Sequence, residues 1–90
     1  MKTLAAALLA LNTEVDMEAF LVDLCTPAEL KAMEERWKVC QMLDRTTDSY
    51  AQIHEKTGVS ITTIGRVARF LKQEKHGGYR KLLELLKERH

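Results

Sequence analysis

SYAQIHEKTGVSITTIGRVARFL, residues 49–71, decides the fold. Ser49 and Gln52 have the S-x-x-Q spacing of a capping box, which satisfies two free amides at a helix start. Tyr50 and Ile53 then face inward on a first helix of about two turns. Thr57-Gly58-Val59 ends that helix, because Gly58 can adopt a left-handed conformation that a side chain makes costly. Ser60 restarts the chain as an N-cap. Ile64, Val67, Ala68 and Leu71 recur at i, i+3, i+4 and i+7, the stripe of a helix lying on a core. Two helices joined by a tight glycine-containing turn form a helix-turn-helix, the pattern that presents its second helix to the DNA major groove.

Outside the stripe, the second helix carries residues that suit DNA. Ser60, Ile61, Thr62, Thr63, Gly65, Arg66, Arg69 and Lys72 are the candidate contacts. Arginine pairs bidentately with guanine or phosphate, and threonine donates, accepts or touches a thymine methyl. Gly65 has no side chain, so a base edge or phosphate can approach the backbone closely. The bland alternative is an ordinary helical hairpin with a solvated charged face. His54 and Thr57 stand where such motifs often have small or apolar residues.

Composition bounds the rest. Ninety residues make one domain, and a chain this short buries only about 60–65% of its unfolded surface. It is 46% hydrophobic with one proline, too apolar for a disordered protein. Leu, Ala, Glu, Lys and Met dominate, which favours an all-α fold. The surplus of apolar helix faces points to a dimer that shares its core. Net charge is only +1, but its distribution is uneven. Residues 1–35 hold two lysines against seven acids, net −5, while residues 36–90 hold twelve basic residues against six acids, net +6. One basic end can be steered onto a phosphate backbone while the acidic end points away.

Cys25 and Cys40 lie fifteen positions apart in apolar surroundings. No C-x-x-C or Cys/His cluster accompanies them, so no metal is expected, and reduced thiols in a cytoplasmic protein fit best. His54, His76 and His90 are scattered and read as surface residues, with His54 on the first helix of the motif and so within reach of a phosphate. Met1-Lys2-Thr3 followed by Leu4–Leu11 resembles a short signal peptide. The apolar run is only eight residues, lacks an A-x-A site and is too short to span a membrane. It is read as a helical arm that needs a partner surface.

Six helices are expected. The first covers roughly 3–11, and the second starts near Asp16 with Met17, Phe20, Leu21 and Leu24 on one face. The third opens at Thr26-Pro27-Ala28-Glu29, with an N-cap, a proline at the first helical position and an acid completing a capping box. Its stripe is Leu30, Met33, Trp37 and Cys40, closed by Leu43. Residues 49–72 form the helix-turn-helix, and Gly77-Gly78 ends the recognition helix. Tyr79, Leu82, Leu83 and Leu86 form the apolar face of a last helix over 79–88. Residues 1–45 are the dimerisation helices within a single domain, 1–90.

LCTPAELKAMEERWKVCQML (24–43) followed by SYAQIHEKTGVSITTIGRVARFLK (49–72) resembles the Trp repressor family, and within it the YerC/YecD-like branch. The shared pattern is Thr26-Pro27 at a helix start, then Arg36, then G-x-x-I-x-T-I-x-R, here Gly58, Ile61, Thr63, Ile64 and Arg66. The resemblance covers roughly residues 20–86. It implies a homodimer with interlocked helices and paired recognition helices about one turn of DNA, roughly 34 Å, apart. It also implies that Ile61, Thr62 and Gly65 approach bases.

The resemblance further implies a ligand pocket. Tryptophan lies between two arginines in Trp repressor, and their positions here are Arg36 and Arg66; Thr26 matches a third pocket residue. Two departures argue against tryptophan. A glycine after the second arginine is Val67 here, and a serine three residues further on is Phe70. An extra large side chain in a packed site costs roughly 1–3 kcal/mol, against roughly 4–8 kcal/mol for a millimolar to micromolar ligand. Tryptophan dependence is therefore expected to be lost and no cofactor is required. Arg36 and Arg66 are left for a phosphate, for an ion pair with Glu29, Glu34 or Glu35, or for a small-molecule corepressor other than tryptophan.

The expected function is a sequence-specific, repressor-like transcriptional regulator that binds double-stranded DNA as a homodimer, with no membrane partner. The alternative is a protein-interaction module that keeps the helix-turn-helix shape without reading DNA. No Gly-rich phosphate loop, metal cluster or nucleophile–base pair argues for an enzyme.

Overall fold

The structure, a computed structural model, describes residues 1–88 and is built of six helices: α1 Leu4–Leu8, α2 Glu14–Leu24, α3 Pro27–Arg45, α4 Tyr50–Thr57, α5 Ile61–Lys72 and α6 Gly78–Glu88. Among the described residues there is no strand, as the composition led us to expect. The chain divides into two compact units, Met1–Met33 and Glu34–His90. His90 lies outside the described residues.

In the first unit, the helices begin where small hydroxyl residues can cap them. Thr3 accepts from the Ala6 amide and Thr13 from the Asp16 amide, both at 3.1 Å. α2 therefore starts two residues before Asp16, with Glu14 and Asp16 in its first turn, where acids favour the helix dipole. α1 is shorter than the apolar run suggests. After Leu8 the bonds tighten to i→i−3, with the Ala10 amide on the Ala7 carbonyl and the Leu11 amide on the Leu8 carbonyl. α3 opens as its T-P-x-E spacing predicts: the Thr26 amide donates to Glu29 Oε1 at 2.8 Å, and the Glu29 amide donates to Thr26 Oγ1 at 3.1 Å. The Thr26 amide, and then its hydroxyl, hold the exposed Glu29 carboxyl below its ordinary pKa.

Neither α1 nor α2 has a buried residue. Val15, Val22 and Leu24 are exposed alongside the half-buried Met17, Phe20 and Leu21. α2 thus has no single apolar stripe: its apolar residues lie on two sides, with Glu14, Asp16, Glu18 and Asp23 between them.

The second unit holds the core. Val39, Cys40, Ile53, Val59, Ile64, Val67, Leu71 and Leu83 pack together, with Trp37, Met42, Leu43 and Tyr79 against them. Removing a side chain such as Ile53, which is fully buried, would cost about 2–5 kcal/mol. Val39 and Val59 join this core unforeseen, whereas Tyr50 is 40% exposed and does not face inward beside Ile53. Cys40 is buried, but Cys25 is only partly so, its Sγ 3.8 Å from Met33 Sδ. Burial, aided by the Asp44 carboxylate, pushes the Cys40 thiol up to about 11.

α5 also ends earlier than its glycine pair suggests. α5 stops at Lys72, five residues before Gly77. Arg80 of α6 donates to the Leu71 carbonyl at 2.7 Å and takes up one of the acceptors that a helix end leaves open. Gly77, with φ of 70°, turns the chain into α6. Lys87 of α6 pairs with Asp44 of α3 at 3.1 Å.

Candidate nucleic-acid interface

α4, the Gly58-Val59-Ser60 turn and α5 form one packed unit. The capping box at its start is complete, with the Ser49 amide on Gln52 Oε1 at 2.7 Å and the Gln52 amide on Ser49 Oγ at 3.1 Å. Gly58 closes α4 in the left-handed region, φ 77°, and its amide donates to the His54 carbonyl at 2.8 Å. Val59 follows at 3% exposure and plugs the angle between the two helices.

His54 and Thr57, out of pattern by residue type, are accounted for by this turn. His54 Nδ1–H donates to the Val59 carbonyl at 2.7 Å. Thr57 Oγ1 donates to the Ile53 carbonyl at 2.7 Å and accepts from the Val59 amide at 3.1 Å. The two side chains satisfy backbone groups that a small residue would leave to water. Lys56 braces the same unit through Asp48 at 2.8 Å.

α5 then separates into two faces. Ile64, Val67, Ala68 and Leu71 are buried. Ile61, Thr62, Arg66, Arg69 and Lys72 are exposed on the remainder, and Gly65 is half-buried. Ser60 and Thr63 are committed to the cap: Ser60 Oγ accepts from the Thr63 amide at 3.2 Å and donates to Thr63 Oγ1 at 3.0 Å. A Cβ built on Gly65 meets nothing within 4 Å, and its φ is not positive. Nothing inside the chain therefore requires glycine there.

Arg36 and Arg66 line one open cleft of about 620 Å³, together with Trp37, Val67, Phe70, His76, Gly78, Tyr79 and Leu82. Both departures line the cleft: Val67 is 1% exposed and belongs to the core, whereas Phe70 is half-buried. The Arg66 guanidinium lies over that ring, 4.4 Å from its centroid. Neither arginine forms a salt bridge with Glu34 or Glu35. Thr26 sits in the first unit, its hydroxyl engaged with the Glu29 amide. Arg80 is a residue that sequence reasoning missed. Its partner is a backbone carbonyl nine residues away, and no local pattern marks that bond.

Among the described residues no group of His, Cys, Asp and Glu could hold a metal ion, and no helix is long and apolar enough to cross a membrane. No solved structure gives a significant match. A relative from Bacillus subtilis strain 168, described as uncharacterized protein YerC, is 34% identical over 82 residues, covering 91% of this chain and 77% of the relative. The family model for the Trp repressor protein matches residues 1–87. That family is one of non-enzymatic DNA-binding regulators, which agrees with the two-faced α5. By its sequence and its helical architecture, the chain belongs to the Trp repressor family.

Proposed function

We propose that this protein is a sequence-specific, repressor-like transcriptional regulator. In this reading α4–turn–α5 is a helix-turn-helix and α5 enters the major groove of double-stranded DNA. The observation that carries it is the division of α5: four residues of one face are buried, and the other offers Thr62, Arg66, Arg69 and Lys72 to solvent. Ser60, Ile61, Thr63 and Gly65 complete the surface, with Ser60 and Thr63 shaping the helix start. The excess of basic residues after position 35 supports approach to phosphates from this end.

The active species is a homodimer on a two-fold symmetric site. α1 and α2 support this, because helices that bury no residue and expose Leu4, Val15, Val22 and Leu24 gain most by interlocking with a second copy. Tryptophan is not the corepressor, since the Phe70 ring already lies against the guanidinium an indole would use. The half-exposed Cys25 and buried Cys40 suit a reducing cytoplasm.

The test is selection of purified protein on a pool of random duplexes, with and without tryptophan. A two-fold symmetric motif, enriched equally in both arms, is the expected result. Arg66→Ala and Arg69→Ala should each weaken binding to that motif and reduce the salt slope by about one. Enrichment only with tryptophan would overturn the reading of Phe70. No enrichment in either arm would transfer the assignment to a protein-interaction module, with the acidic, apolar first unit as its surface.

A further inference from the structure

Phe70 is the aromatic residue of α5, and three cationic or titratable side chains gather on it. The Arg66 guanidinium lies 4.4 Å from the ring centroid and that of Arg69 5.1 Å. The His76 ring stacks on it at 6.2 Å with an interplanar angle of 16°. Two like charges on neighbouring turns of the helix's exposed face would otherwise spread apart in water. Here each is drawn to the same π system. The acid facing the group is Glu74, 3.8 Å from Arg69 Nε, and the contact is loose and solvent-exposed.

A guanidinium over a ring is bound through its π electrons, so its N–H donors stay available in its own plane. Arg66 makes no hydrogen bond or salt bridge through those donors among the described residues. It is thus a side chain whose position is held and whose bonding capacity is unspent. Anions are recognised by those in-plane donors, two at a time.

We propose that Phe70 is a positioning residue that holds Arg66 and Arg69 as a paired contact for a phosphate of the DNA backbone. It does from within the chain what a bound aromatic molecule could do from outside, so the pair is ordered without any effector. This inference rests on the DNA-binding reading above.

Three full-length proteins test it: the parent, Phe70→Leu, which keeps the apolar bulk without the π system, and Phe70→Trp, which keeps the π system. In the free parent, NMR should find the Arg66 and Arg69 Nε–H signals displaced by the ring current. Phe70→Leu should abolish the displacement and lower affinity for the selected duplex about fivefold, the scale of two exposed cation–π contacts. Phe70→Trp should restore both, with the melting temperatures of all three close together. Absence of ring-current displacement in the parent overturns the positioning role, whatever the variants do. Parent-like duplex affinity in Phe70→Leu also overturns it, while the DNA reading stands. A displaced pair of signals in a parent that binds no duplex overturns the DNA reading, and the phosphate role with it.

Discussion

Gly65→Ala should move stability and DNA affinity in opposite directions. Gly65 is in the interior of α5, its φ is outside the left-handed region, and an added Cβ meets nothing within 4 Å. Alanine is favoured over glycine at an unstrained helix interior by about 0.8–1.0 kcal/mol. For a chain of this size, that corresponds to a melting temperature about 3–8 °C higher. If the backbone at Gly65 approaches a base edge or a phosphate, the new methyl enters a packed interface, and overpacking costs about 1–3 kcal/mol. Affinity should then fall about 5- to 100-fold. Thermal melting at one fixed protein concentration gives the first quantity, and fluorescence anisotropy with the selected duplex gives the second. A variant that melts higher and binds as the parent does would refute the close approach. A variant that melts lower would refute the claim that the helix has room for the methyl.

Three further outcomes follow from particular contacts. Gly58→Ala should lower the melting temperature by about 4–8 °C, because φ of 77° costs a side-chain-bearing residue about 1 kcal/mol or more; an unchanged melt would mean that the turn relaxes freely. Glu74→Gln should raise duplex affinity a few-fold at low salt and have little effect at high salt, since it releases Arg69 and removes an acid beside it; an equal effect at both would exclude an electrostatic origin. Cys40 should alkylate only at the rate of unfolding. Its thiol titrates at about 11 when folded against an ordinary 9.0, so its contribution to stability is complete below about pH 9 and lost as pH rises towards 11. Urea midpoints across that window, compared with Cys40→Ala, measure the difference, and parallel curves would disprove it.

What could be read in advance was local. The capping pairs Ser49–Gln52 and Thr26–Glu29 span three residues, so spacing alone reveals them. The same holds for the left-handed Gly58 and for the buried stripe of α5, which follows the helical period. Features set by tertiary packing were not legible. Val39 adjoins Cys40, and which of the two enters a core depends on how α3 is rotated; here both do. Val59 stands in a turn, where periodicity carries no information. The end of α5 is met by Arg80 from the next helix, while Gly77 marks only the start of α6. At the candidate site, the arginine positions were legible, but the ring over which Arg66 lies was read only as bulk.

The division of α5 also bears on how such a protein can change. Ile64, Val67, Ala68 and Leu71 carry the helix's share of the core, while Thr62 and Arg66 make no hydrogen bond to the rest of the second unit through their side chains. Substitutions on the outward face therefore cost little folding free energy, typically within about 0.5 kcal/mol. A lineage carrying this helix can exchange one outward set for another by single steps, each leaving a folded protein behind it.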